Sequence, residues 1–463
     1  MNSQTDLVFD PKLIRRFDVN GPRYTSYPTA DRFVEAFDAR ALADWLAKRA
    51  IGGVGKPLSL YFHIPFCNTI CYYCACNKII TKDHGRSAKY LKYLDKEMEL
   101  QVAHLGGSRQ VTQLHLGGGT PTFLSHDEMR QLMDSVRSRF TLVPNGEYSI
   151  EVDPRKVDFD TVKLLADLGF NRMSVGVQDF NHDVQVAVNR VQSVDETRSV
   201  MEAARATGFK SISMDLIYGL PKQNVISFNR TLEEVLALSP DRISLYSYAH
   251  LPGLFKPQRR INSVELPVAD TKLQILQLAI RRLTEAGYVY IGMDHFAKPD
   301  DELSVAQRQG RLHRNFQGYS TQAECDLLAF GVSSIGKIGP VYSQNVKTLD
   351  EYYDALDRDE LPVLRGVELT ADDLLRRAII QALMCHFELS IESIEIAHLI
   401  NFQEYFADEL ADLREMQEAG LLKVEDDWIT VLPSGRMLVR GIAMVFDRYI
   451  RADRERARYS KVI

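Results

Sequence analysis

Three times in this chain a helical pattern ends on glycine plus an aromatic residue and a short apolar strand follows: Leu168-Gly169-Phe170, Thr207-Gly208-Phe209 and Ala286-Gly287-Tyr288. Glycine at that point supplies the left-handed cap that turns a helix back toward a sheet. From about residue 58 the segments alternate accordingly. Candidate strands are Ser59–Ile64, Val111–Leu116, Tyr148–Val152, Arg172–Gln178, Ser211–Ile217, Arg242–Tyr248 and Val289–Met293, all rich in β-branched and aromatic residues. Helical patterns such as KYLKYLDKEMELQVAHL and DETRSVMEAARAT lie between them. Repeated βα units predict a parallel sheet with helices outside it, and about six of them favour an α/β partial barrel over a doubly wound sheet.

In such barrels chemistry sits at the C-terminal ends of the strands. The unusual residues fall there: four cysteines after the first strand, Gly117-Gly118-Gly119 after the second, then Glu151, Gln178 and Asp215. Packing alone does not call for five polar or permissive sites on one rim.

Past about residue 365 the texture changes. Thr370 and Asp373 form a capping-box pattern opening the helix LLRRAIIQALMC, and a second helix, DELADLREMQEA, stops at Gly420. LLKVEDDWITV reads as a hairpin turning near Asp426-Asp427, with a last helix from about Arg436. The expectation is a smaller, mainly helical, winged-helix-like domain. Its acidic wing suits a lid or packing role better than DNA binding. The division predicted is an N-terminal arm or lid over residues 1–50, a catalytic barrel over 51–364 and the C-terminal domain over 365–463.

Six cysteines occur, and Cys67, Cys71, Cys74 and Cys76 crowd into one loop while Cys325 and Cys385 stand alone. The N-terminus carries no uninterrupted apolar stretch of signal-peptide type, and no apolar run approaches the roughly 20 residues of a membrane helix. Crowded thiols in that context favour a metal site in a reducing cytoplasm over a disulfide scaffold. A formal net charge of −6 argues against a general nucleic-acid or membrane binder.

The spacing is Cys67-x-x-x-Cys71-x-x-Cys74. Thiolates suit zinc or iron–sulfur clusters. Structural zinc usually draws paired Cys-x-x-Cys knuckles from two places in a chain, and no second pair exists here. A 4Fe-4S cluster held by three cysteines leaves one iron open to a small chelating molecule. Cys76 is not a fourth ligand in this reading, because a Cys-Ala-Cys step is tight for one cubane.

CNTICYYC resembles the radical S-adenosylmethionine (SAM) signature. YFHIPFC, Cys76, GGGTPT, SIEVDPR, RMSVGVQDF, Asn189-Arg190, MDLIYGLP, YAHLP, GMDHFAKPDDEL, HRNFQGYST and the N-terminal GPRYTSYPTA together resemble the oxygen-independent coproporphyrinogen III oxidase family. The resemblance runs from about residue 10 into the C-terminal domain. It implies a radical SAM partial barrel that converts two propionates of coproporphyrinogen III to vinyls, giving protoporphyrinogen IX for haem. The C–H bond beta to a carboxylate is too inert for a side-chain base, so the cofactor supplies a radical. Cluster potentials span roughly −700 to +450 mV, and sulfonium cleavage needs the low end.

The resemblance also implies the site. Cys67, Cys71 and Cys74 are the cluster ligands, Tyr61 packs near the cluster-bound SAM, Gly118, Gly119, Thr120 and Glu151 contact SAM, and Tyr73 belongs to the same cofactor-binding set. Gln178, Arg190 and Asp215 match contacts of a second SAM, while Ala249 and Ile335 neighbour the first. Read without the family, Tyr61 is core, the glycines a tight turn, Glu151 a salt-bridge partner of Arg155 or Arg172, and the rest rim polar groups. Coproporphyrinogen III carries four carboxylates, for which Arg15, Arg16, Arg23, Arg308, Arg311 and Arg314 are candidates. The family implies an electron donor such as a flavodoxin or ferredoxin, and a monomer. Alternatives are a haem-binding chaperone or a radical SAM methyltransferase on the same scaffold, and more distantly a zinc-structured winged-helix regulator.

Overall fold

The computed structural model describes residues 7–51, 55–322 and 325–452. Residues 1–6 of the expected arm and 453–463 of the expected C-terminal domain lie outside them. The chain divides into two compact units, one of Phe33–Ala279 with Glu324–Glu368, the other of Met1–Arg32, Ile280–Ala323 and Leu369–Ile463.

The larger unit is built on one mixed sheet. Its strands are β1 Leu58–Ile64, β2 Gln110–Gly118, β3 Thr141–Val152, β4 Arg172–Gln178, β5 Ser211–Tyr218, β6 Arg242–Ser247, β7 Asp326–Phe330, β8 Ile335–Ile338, β9 Val341–Asn345 and β10 Val363–Glu368. Their order is β10-β9-β8-β7-β1-β2-β3-β4-β5-β6. β7 and β1 through β6 run parallel. β8, β9 and β10 continue the sheet antiparallel. The arrangement is the expected partial β/α barrel, extended by an antiparallel edge. Phe62, Leu114, Ile150, Val175, Met214 and Leu245 are buried along it. The connecting helices start where the sequence caps them. Ser125 with Glu128 and Ser193 with Glu196 form reciprocal capping boxes for His126–Arg139 and Val194–Ala206. The junction glycines Gly169, Gly208 and Gly287 adopt φ of 95°, 89° and 87°, the left-handed region their position predicts.

One expected strand departs from the βα pattern. Val289–Gly292 forms a strand as expected, but it pairs antiparallel with His295–Ala297 rather than parallel with a βα neighbour. Its apolar pattern marks it as a strand but says nothing of the direction of its partner.

In that second unit Thr370 and Asp373 form the predicted capping box of helix Ala371–His386. The predicted hairpin is present as Leu422–Val424 against Trp428–Val431, with Glu388–Ser390 as a third antiparallel strand. Arg376 lies between Asp372 and Glu409, each at 2.9 Å, and over the Phe406 ring. The N-terminal segment is part of this core: Tyr24 and Tyr27 are buried, and the Tyr24 hydroxyl donates to Asp447 at 2.9 Å. Arg314 is buried over Tyr319 and donates to the Arg23 carbonyl, Arg23 pairs with Asp294, and Arg16 with Glu415.

Candidate active site

Strand register assembles the site. β-strand side chains alternate between faces, so residues two apart share one. Glu151 on β3 lies beside Ser174 on β4, Gly176 on β4 beside Asp215 on β5, and Asp215 beside Ser244 on β6. One cavity follows, lined by Cys67, Cys71, Cys74 and Cys76 from the loop after β1, by Gly118, Gly119 and Thr120 after β2, and by Glu151, Gln178, Arg190 and Asp215. Tyr73 also faces it, as do Lys78, Asp153, Arg155, Lys156, Ser174 and Tyr246.

The cysteine loop is held by backbone geometry. Phe66–Cys67 pairs with Ile79–Ile80, and the Gly119 and Thr120 amides donate to the carbonyls of Ile64 and Phe66. A Cβ on Gly119 would sit 2.7 Å from the Pro65 backbone, so only glycine permits this approach. Gly118, at φ 115°, lies over the His63 ring in the same way. From the other side Tyr72 donates its amide to Val188, the Asn189 amide group donates to Ile70, and Gln258 donates to the Tyr73 carbonyl.

Each of the three expected ligand sulfurs has a donor. The Thr120 hydroxyl donates to Cys67 Sγ at 3.5 Å, and the Arg190 guanidinium to Cys71 Sγ at 3.7 Å. The Cys76 thiol donates to Cys74, which with the nearby Lys78 ammonium holds the Cys74 thiol below its ordinary value and leaves Cys76 above its own. Burial pushes Cys67 up to about 11, with the Thr120 hydroxyl working against it. Among the described residues no three His, Cys, Asp or Glu side chains converge on a point fit for a single metal ion. A cubane takes its thiolates at separate corners, so three donor-assisted thiols beside Lys78 and Arg190 fit a 4Fe-4S cluster. Cys325 and Cys385 are buried and are not among the residues lining this cavity.

Glu151 accepts the Gly118 amide at 3.1 Å and faces His115 Nε2 at 3.4 Å. Burial works to raise this carboxyl, and the His115 ring with the Gly118 N–H brings it below its ordinary value. It is not paired with Arg155 or Arg172: Arg155 grips Asp153 at 2.6 Å and Arg172 donates to Asn171. Tyr61 stacks on His115 with ring centroids 5.9 Å apart and its hydroxyl meets His63 Nδ1 at 3.1 Å. Asp215 accepts from the Ser174 hydroxyl at 2.9 Å, and its burial raises it to about 6. Gln178 projects from a left-handed backbone at φ 70°, which ends β4 at the cavity rim.

Tyr61, Ala249 and Ile335 are not among the residues facing the cavity. Ala249 follows the end of β6 and Ile335 opens β8. The arginines expected to meet carboxylates, Arg15, Arg16, Arg23, Arg308, Arg311 and Arg314, all belong to the second unit, and the cations that face this cavity are Lys78, Arg155, Lys156 and Arg190. Sequence reasoning passed over Asp153 and Arg155 as site residues. The signal was present, since Asp153 stands two residues beyond Glu151 and so shares its face.

The profile of the Radical SAM superfamily matches residues 61–235, and that of the HemN C-terminal domain matches 369–438. The oxygen-independent coproporphyrinogen III oxidase of Pseudomonas aeruginosa is 53% identical over 98% of this chain and 99% of its own length. The enzyme of that name from Escherichia coli K12 is 47% identical over the full length of both. The solved structure described as coproporphyrinogen III oxidase (HemN) from Escherichia coli, a radical SAM enzyme, superimposes with a TM-score of 0.91 at 46% identity, over 96% of this chain and all of that one.

Proposed function

The chain belongs to the oxygen-independent coproporphyrinogen III oxidases of the radical SAM superfamily, and from that premise we propose which of its residues do what. The reaction is oxidative decarboxylation of two propionate side chains of coproporphyrinogen III to vinyls, giving protoporphyrinogen IX without oxygen. The family implies a 4Fe-4S cluster and SAM. When bound, they supply a 5′-deoxyadenosyl radical able to take hydrogen beta to a carboxylate.

In our reading Cys67, Cys71 and Cys74 would hold the cluster, and SAM would bind beside it. Gly118, Gly119 and Thr120 lend backbone groups to its polar end, and Glu151 accepts from its amine while the Gly118 amide fixes the carboxylate in place. Tyr73 closes one wall. Tyr61, Ala249 and Ile335 would act from outside the lining, Tyr61 through the His115 ring it stacks on. Gln178, Arg190 and Asp215 receive a second SAM: Arg190 suits a carboxylate through its fork geometry, and Asp215 suits hydroxyls or an ammonium. The observation that carries the reading is that three donor-assisted thiols and these polar groups share one cavity.

We further assign an electron donor of the flavodoxin or ferredoxin kind, a monomeric state and a cytoplasmic setting, where thiols such as these six unpaired ones stay reduced. No helix among the described residues is long and apolar enough to cross a membrane.

Anaerobic reconstitution tests the assignment. Wild type should take up iron and sulfide near four per chain and, with reductant, SAM and coproporphyrinogen III, release carbon dioxide and form the divinyl product. Cys71→Ser should do neither. Decarboxylation persisting in that variant would contradict the ligand assignment, and retention of haem without turnover would favour the chaperone reading.

A further inference from the structure

Asp153 sits between two guanidiniums. Arg155 donates to both of its oxygens, through Nη2 to Oδ2 at 2.6 Å and Nε to Oδ1 at 2.9 Å. Arg190 meets it from the other side with both terminal nitrogens at 3.4 Å. All three residues face the cavity of the cysteine loop. Arg190 is 7% exposed, yet its head is fully deployed: Nη2 donates to the Gly176 carbonyl at 2.6 Å and Nη1 to Cys71 Sγ at 3.7 Å. Its Nε alone has no partner, a polar atom left over in a buried group.

Two cations beside one thiolate bear on any cluster that thiolate holds. Cluster potentials rise with positive charge and with hydrogen bonds to the sulfurs. Sulfonium cleavage needs a strongly reducing cluster, so a guanidinium on Cys71 pulls the wrong way unless it is offset. Burial works to raise the Asp153 carboxyl, and the two guanidiniums outweigh it, so the group stays ionised. It therefore places a full negative charge between them.

We propose that Asp153 is a positioning residue that acts through Arg190, offsetting the guanidinium charge beside Cys71 and so holding the cluster potential low. The inference rests on the cluster reading above and adds to it a residue that acts through Arg190. The same contact makes Arg190 a link between the polar end of the cavity and the cysteine loop. Its fork reaches Cys71 on one side while its Nε is unspent.

The test is a redox titration of the reconstituted holoenzyme without SAM, followed by electron paramagnetic resonance, on wild type, Asp153→Asn, Asp153→Glu and Arg190→Gln. Asparagine keeps the shape and most of the acceptors but not the charge, so its midpoint should move to more positive potential. Glutamate keeps the charge and should return the midpoint toward wild type. Arg190→Gln loses a cation and should move it negative. A purely structural role for Asp153 would not give opposite signs in the two charge-removing variants. Equal midpoints in all four proteins, with clusters intact, would overturn the inference. Failure of the wild type itself to bind a cluster would instead overturn the reading beneath it.

Discussion

The residue that links chemistry to acidity most directly is Asp215. Burial raises its carboxyl to about 6 against an ordinary value near 3.8, with Ser174 opposing the shift. A raised carboxyl holds its proton in the folded chain between those values. The stability that proton contributes is present below about 3.8 and lost as pH rises through about 6. Ligand binding has the opposite sense, because the ionised carboxylate attracts an ammonium and accepts from hydroxyls more strongly than the neutral acid does. SAM affinity, measured by isothermal titration of the reconstituted enzyme, should therefore strengthen as pH rises through about 6. Asp215→Asn should bind more weakly and lose that dependence. An unchanged pH profile in the variant would remove Asp215 from the site. At this scale the sequence was most informative where chemistry is rare: four thiols in one loop, a glycine triplet and charged groups at strand ends. Asp153 escaped notice because a carboxylate beside Pro154 and Arg155 reads as an ordinary turn cap, and the Asp153 side chain does accept the Arg155 amide at 3.2 Å.

At the scale of elements, the loop after β1 and the turn after β2 form one device, since each fixes the other through backbone bonds. Gly119→Ala tests it. The added Cβ would meet main-chain atoms of Pro65, which cannot swing aside as a side chain could. The cost should be about 1–3 kcal/mol in thermal unfolding, with a larger loss in iron retained after desalting. A variant that keeps full iron content would show that the loop does not depend on this approach. The βα elements were legible because glycine caps and apolar strands repeat, and β4 has the bounds its pattern predicts. β7, β8, β9 and β10 were not. They are short, and β7 and β9 are buried at every position while carrying Asp326, Ser343, Gln344 and Asn345. With such short runs, and no alternation of burial in β7 and β9, their pattern gives only a weak strand signal. Their polar groups are satisfied inside the unit instead: Asn345 donates to Glu97 at 2.7 Å and Asp326 binds Arg49 at 2.8 Å.

At the scale of the whole molecule, full-length similarity and a shared cavity converge on one account: a three-thiolate loop leaves one iron for SAM. Membership of the family rests on motifs spread along the chain, which is why it was legible before any coordinates. What the residues alone did not reveal is how the charges in the cavity balance, since Arg190, Asp153 and Cys71 come together only through the fold. The most direct test is electron–nuclear double resonance on the reduced, reconstituted enzyme with SAM carrying nitrogen-15 in its amino group or oxygen-17 in its carboxylate. The account predicts hyperfine coupling from the labelled atoms, present in wild type and lost when unlabelled SAM replaces them. A cluster signal with no such coupling, together with evidence of a fourth cysteine on the remaining iron, would contradict it.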